Sequence, residues 1–331
     1  MAERESQRHW TRRRVVLMCL VPALLALVCR VIAELAAPDA VWGHVVHSVG
    51  LMAPRWLMAV TPLVCLRVAW LARQWRIPMG LGLVALPLAG VPNWMAPGEG
   101  TRILAGNVNA YTGSPAGLAA AIASTGVDVV IEVESRSTEI PGYTRVADNF
   151  SDKMPRPSYR SAVFCKDGVS CEAAISEQFG SPSSKMPVAL VRLHDGVCLL
   201  GMHGPPPVPL DASGLLPHMR RIASHLEAGR ISKPWGPCQV GDPVVMLGDF
   251  NAVPGSWATR ELADTGLEDQ LWHWGLFALS WPFGGDVAVL PALQLDQLWA
   301  GPVDVTGIDL RRLPGADHRA ILATVASRDR R

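Results

Sequence analysis

Pro243-Val244-Val245-Met246-Leu247-Gly248-Asp249-Phe250-Asn251 is the stretch on which the fold turns. Pro243 to Leu247 is apolar and too short for a helix, so it reads as a strand buried on both faces. The run stops at Gly248, and a carboxylate and an amide follow two residues apart, with Phe250 between them as packing. Polar groups at strand ends are where layered sheet folds keep their chemistry. A plain Asp-containing turn is the competing reading.

The same arrangement recurs outward from that stretch. Arg102 to Asn109 reads as a strand ending in Asn107-Val108-Asn109, and Asp128 to Glu134 as a buried strand ending in a carboxylate. Val197 to His203 leads into His203-Gly204-Pro205-Pro206. Leu295 to Trp299 carries Asp296-Gln297, and Asp317-His318 comes just before the strand Ala320 to Val325. Ser161 to Cys165 and Val188 to Leu193 are further strands. Pro115 to Ser124, Leu215 to Ala228 and Trp257 to Leu262 have helical character. Many strands with helices between only some of them predict a mixed α/β (α+β) fold, a two-sheet core flanked by helices rather than a doubly wound sheet. The set of polar ends points to metal-assisted attack on a phosphate ester.

Charge divides the chain. Before Gly98 there are ten arginines, no lysine and four carboxylates, a net of +6, and the remainder is net −5. A sequence-independent nucleic-acid binder carries a basic surface to neutralise phosphates, and the mildly acidic part after residue 97 does not. Residues 1–97 read as a membrane region with three apolar spans, Val15 to Ala33, Trp56 to Ala72 and Ile77 to Met95. A cleaved signal peptide is the competing reading of the first, but two more apolar runs follow it. Arg4, Arg8 and Arg12 to Arg14, then Arg73 and Arg76, place their segments in the cytoplasm. Residues 98–331 then form an extracytoplasmic catalytic domain of a multi-pass cell-membrane protein, and one span fewer would reverse its side. Cys165 and Cys171 flank the turn Lys166-Asp167-Gly168, open to a disulfide or to buried free thiols.

Taken in order, Ala105-Gly106-Asn107-Val108-Asn109, Asp128 to Glu134, Val244 to Asn251, Leu295-Asp296-Gln297-Leu298 and Gly315-Ala316-Asp317-His318-Arg319 resemble the endonuclease/exonuclease/phosphatase superfamily, the DNase-I-like fold. The resemblance covers roughly Thr101 to Ala326 and is closest to bacterial membrane-anchored members. It implies a four-layer β-sandwich flanked by helices, behind the N-terminal transmembrane helices. It also implies that Asp249 positions or deprotonates the attacking water, that Asn251 donates hydrogen bonds to phosphate, and that His203 supports the phosphate or leaving group.

The chemistry of the residue types agrees. A phosphodiester resists hydrolysis because its anionic oxygens repel a nucleophile and its leaving alkoxide is poor. A hard divalent cation, Mg2+ with Mn2+ as a substitute, answers both problems. Glu134 is expected as its main carboxylate ligand, Asn107 as a neutral oxygen donor, and Asp317 as a ligand directly or through water. Asn109 stands as a candidate behind them. His318 is expected to meet a non-bridging phosphate oxygen, with Asp296 orienting its ring and favouring the imidazolium. Arg160 and Arg319 are open to aiding an anionic substrate, with a solvated face as the default reading of both.

Three positions depart from the family's pattern: Gln297 in place of His or Tyr, Glu132 in place of an apolar residue, and Ser161 in place of Gly. The superfamily's nucleases, inositol-phosphate phosphatases and sphingomyelinases share this core, so substrate stays open between a lipid, a nucleic acid and a small molecule. The expected partners are that phosphate ester and the bilayer, with no protein partner inferred. A membrane-tethered nuclease and a non-catalytic binding protein are the alternatives. Trp272, Trp274, Trp281 and Phe283 form an aromatic cluster, read as core or as a substrate- or membrane-facing loop.

Overall fold

The computed structural model describes residues 98–328 apart from 110–113, 136–138, 151–159, 177–185, 207–211, 273, 275–277 and 282–292. Before residue 98 it describes positions 20–22, 24–35, 47–54, 56–57, 61 and 63–64. The chain divides into two compact units, Met1–Pro92 with His273–Ala278, and Asn93–Trp272 with Leu279–Arg331.

In the second unit, strands β1 (Thr101–Asn107), β2 (Val129–Val133), β3 (Tyr143–Asp148), β4 (Ser161–Lys166), β13 (Val303–Arg312) and β14 (Arg319–Ser327) form one sheet, ordered β13-β14-β1-β2-β4-β3. The other, ordered β11-β12-β10-β7-β6-β5, uses β5 (Glu172–Ser176), β6 (Val188–Arg192), β7 (Cys198–His203), β10 (Val244–Asp249), β11 (Glu268–Asp269) and β12 (Asp296–Ala300). A short hairpin, β8 (Leu226–Glu227) with β9 (Arg230–Ile231), stands apart.

Strand alternation sorts the core into layers. Leu104, Val130, Ala162, Phe164 and Leu322 face outward from the first sheet and pack with Leu118 and Ile122 of helix α1 (Pro115–Thr125). Leu190, Leu200, Met202 and Met246 face outward from the second and pack with Met219 and Ile222 of α2 (Ala212–Ala223) and Ala258 and Leu262 of α3 (Trp257–Ala263). The alternate residues, Ile103, Val129, Ile131 and Val163 against Leu199, Val245 and Leu247, are buried between the sheets. Gly201 is needed there, because a Cβ on it would collide with Ile131 of the facing sheet. The architecture is therefore helix, sheet, sheet, helices. Helix α1 is bounded as its sequence dictates: Ser114 caps its first turn, Pro115 opens it and Gly126 closes it at φ 63°.

Two disulfides cross-link this unit, Cys165–Cys171 and Cys198–Cys238. The first closes the turn whose flanking cysteines were open to either reading, and the second had no sequence signal. The expected helix Leu215 to Ala228 ends earlier, at Ala223. His225 N–H bonds to the Ile222 carbonyl, and Leu226 then pairs with Ile231 across the turn at Ala228 and Gly229.

In the first unit residues 20–22 and 24–35 are helical, with Leu24, Leu27, Val28, Val31 and Leu35 exposed. His47 Nδ1 bonds to the Ala33 carbonyl at 2.6 Å, and a Cβ on Gly50 would lie 2.7 Å from that of Ala33, so this contact depends on small residues. Among the described residues no helix is long and apolar enough to cross a membrane. Residues 15–19 of the first apolar run, most of the second and all of the third lie outside the described residues.

Candidate active site

Each sheet has one parallel pair of strands at its centre, β1 with β2 and β7 with β10. Their carboxyl ends open at the same edge of the sandwich. Antiparallel β12 starts at that edge, and the turn into β14 returns to it. This topology gathers Asn107, Glu134, His203, Asp249, Asp296 and His318 from six strand ends. Asp249 is in register with His203 on one side and Asp296 on the other. Gly248 permits that position: its φ is 126°, and a Cβ there would sit 2.5 Å from the Met202 carbonyl oxygen.

Asp249 is the hub. Its Oδ1 accepts the Asn251 N–H at 2.8 Å, and its Oδ2 accepts Asn107 Nδ2 at 3.1 Å and Asn251 Nδ2 at 3.3 Å. His318 Nε2 lies 3.7 Å and His203 Nε2 4.0 Å from the same Oδ2. Burial pushes the Asp249 carboxyl above its ordinary range, although both histidines and the Asn107 amide oppose that shift. Asn251 also donates to the Gly204 carbonyl at 2.8 Å, which ties the loop after β7 to the loop after β10.

His318 Nδ1 lies 2.7 Å from Asp296 Oδ2. Burial disfavours the imidazolium, yet Asp296, Asp249 and Asp317 together outweigh it and hold the His318 pKa up at about 10. Ser280 steadies the pair by accepting the N–H groups of Leu295 and Asp296 at 3.1 and 2.9 Å. The Trp281 ring leans on His318, with centroids 6.3 Å apart. Glu134 Oε1 lies 3.5 Å from His203 Nε2. Burial first, then the charges of Asp249 and Asp317, raise Glu134 to about 7 against the pull of the Asn107 amide and His318.

Seven of the eight expected site residues therefore meet through direct side-chain contacts. Asp317, half-buried, reaches the group through its charge on Glu134 and His318. Asn109 lies in a turn closed by its N–H to Asn107 Oδ1 at 2.9 Å. Ser280 had no sequence signal, since it stands beside no recognised motif, and the role of the Gly204 carbonyl, next to His203, shows only in the folded chain. Gln297 donates to the Ala252 carbonyl and accepts the Trp299 indole N–H, so it anchors the loop beyond Asn251. Glu132 is fully buried and bonded to the Ser135 hydroxyl at 2.6 Å. Ser161 is buried, and its N–H donates to Asn149 Oδ1 at 2.8 Å. Arg319 is not a solvated face: it is half-buried, donates to the Leu279 carbonyl at 3.2 Å, and burial lowers its pKa. Arg160 lies over the Phe150 ring, 5.6 Å from its centroid. Of the aromatic cluster, Trp272 is exposed and Trp274 buried, while Phe283 lies outside the described residues.

The model of the Endonuclease/Exonuclease/phosphatase family matches residues 104–319, and the chain belongs to that family. Similar solved structures include an AP endonuclease from Archaeoglobus fulgidus, at 14% identity over 68% of this chain and 98% of that one, with TM-score 0.48. The Xenopus laevis APE2 catalytic domain is similar at 14% identity, over 68% and 93% of the two chains, with TM-score 0.47. Sphingomyelinase C from Streptomyces griseocarneus is similar at 17% identity, over 70% and 100%, with TM-score 0.43. No curated protein sequence matches the chain.

Proposed function

We propose that this protein hydrolyses phosphodiesters with a divalent metal, magnesium by preference, at the Asp249 centre, and that residues 1–97 tether it to a membrane. The observation that carries the reading is Asp249 itself: a buried carboxylate held by two amides, within 4.0 Å of two imidazoles at a shared sheet edge. A carboxyl raised by burial is a competent acceptor for the proton of an attacking water. The Asn107 and Asn251 amides fix its orientation. His318, held as imidazolium by Asp296, offers Nε2–H to a non-bridging phosphoryl oxygen and stabilises charge that grows as the bond to the leaving group breaks. His203, on the far side of Asp249, faces the same anion.

Among the described residues no three His, Cys, Asp or Glu side chains stand together as a metal cage. The donors suit a different kind of site. Magnesium keeps several waters and takes one or two carboxylates. Glu134, with Asn107 beside it, is a carboxylate whose pKa is raised by burial and by two neighbouring carboxylates, which is negative charge in want of a cation. Glu134 and Asn107 would hold the ion, with Asp317 reaching it directly or through water. When bound it supplies Lewis-acid polarisation of the phosphoryl group.

Exposed apolar residues along 20–35 support the tether. The two disulfides support an oxidising, extracytoplasmic setting for the catalytic unit. The net −5 of residues 98–331 favours a small or lipid diester over tight nonspecific binding to DNA. The test is a substrate panel for the full-length chain: a chromogenic diester, plasmid DNA, a phosphomonoester and sphingomyelin vesicles, each with Mg2+ or chelator. Diester cleavage that needs the metal and is lost in Glu134→Ala and His318→Ala supports the reading. Preferred cleavage of plasmid would make the protein a nuclease, and no turnover in a folded, metal-binding chain would make it a binding protein.

A further inference from the structure

Three strand ends at the site share one backbone device. Asn109, Glu134 and Asn251 have φ of 45°, 51° and 48°, and each stands two residues beyond a polar side chain in the last or next-to-last position of its strand, Asn107, Glu132 and Asp249. Asn tolerates the left-handed region because its short amide satisfies nearby backbone, whereas Glu gains no such help. For the two asparagines the brace is visible: Asn107 Oδ1 accepts Asn109 N–H at 2.9 Å, and Asp249 Oδ1 accepts Asn251 N–H at 2.8 Å.

Glu132 is longer by a methylene than Asp, and it reaches one residue further. Its Oε2 accepts the Ser135 hydroxyl at 2.6 Å, a bond that spans Glu134 with both partners fully buried. Beyond the kink the Ser135 N–H regains the sheet on the Arg160 carbonyl at 3.0 Å. The kink changes where Glu134 points. Val130 faces outward toward α1 while Ile131 faces the second sheet, so simple alternation would send Glu132 and Glu134 outward together. Glu132 stays buried in the strand, yet Glu134 lies 3.5 Å from His203 of the opposite sheet.

We propose that Glu132 is a positioning residue: its bond to Ser135 holds the left-handed turn that swings Glu134 from the outer face into the site. The inference rests on Glu134 being the metal-binding carboxylate. The experiment measures Mn2+ binding by the full-length chain directly, from the paramagnetic signal of free ion, with thermal melts alongside. Glu132→Leu and Ser135→Ala are expected to weaken Mn2+ about 10- to 100-fold, as loss of a supporting group does at metal sites. Glu132→Gln, whose amide oxygen still accepts the Ser135 hydroxyl, is expected to bind close to wild type. On a Glu134→Gln background, Glu132→Leu is expected to add nothing, because it acts through Glu134. Wild-type affinity in both Glu132→Leu and Ser135→Ala overturns the role, as does a Glu132→Leu loss that persists on the Glu134→Gln background. Wild-type affinity in Glu134→Gln overturns the reading of the ligand instead, and this inference with it.

Discussion

At Asp249, two histidines and two amides surround one buried oxygen, and the protonation of the groups nearby sets when the site can work. Glu134 holds its proton up to about 7 rather than 4.5, and His318 up to about 10 rather than 6.5. Both folded-state values are raised, so both groups bind protons more tightly in the fold than in the unfolded chain. Metal-free protein is therefore expected to lose stability as pH rises from 4.5 through about 7 on account of Glu134, and from 6.5 through about 10 on account of His318. A metal ion must displace the Glu134 proton, so affinity for Mn2+ should climb about tenfold per pH unit below about 7 and level off above it. Calorimetric titration across that range checks this, and a flat profile would contradict it. Diesterase activity should fall above about 10 as the His318 imidazolium is lost, a limb that His318→Gln should abolish.

The strand is the element that delivers these residues, and its last turn is where tolerance ends. Gly248 occupies a φ of 126° against the Met202 carbonyl, so Gly248→Ala must either strain the backbone or shift Asp249 away from His203. A cost of about 2 kcal/mol in stability is expected, with a larger loss of activity than that destabilisation explains. Denaturant unfolding and rate measurement on the same protein check it, and full activity would show that Asp249 does not depend on this close approach.

The central strands were legible in sequence because strands buried on both faces are unbroken apolar runs, as in Val244 to Leu247. The edge strands β3 and β13 were not, since they alternate polar and apolar residues, and β13 carries a bulge between Thr306 and Asp309. The site residues were legible as motif ends. Ser280, the partners of Gln297 and the Glu132–Ser135 bond were not, because each acts through a group that only the folded chain brings near.

For the whole molecule the cysteines carry the clearest expectation. If the catalytic unit lies in an oxidising exterior, alkylation of thiols in cells followed by denaturation without reductant should leave Cys165, Cys171, Cys198 and Cys238 unmodified. Labelling of all four would place the unit in a reducing compartment and reverse the orientation drawn from the arginines. The most direct test of the central claim is hydrolysis of a chromogenic phosphodiester by the full-length chain and its Asp249→Asn variant, in saturating Mg2+. Asn keeps the shape of the hub but cannot take a proton, so the expected result is turnover by wild type and a loss of about 10²-fold or more in the variant. Equal rates in the two proteins would contradict the claim that Asp249 is the centre of the chemistry.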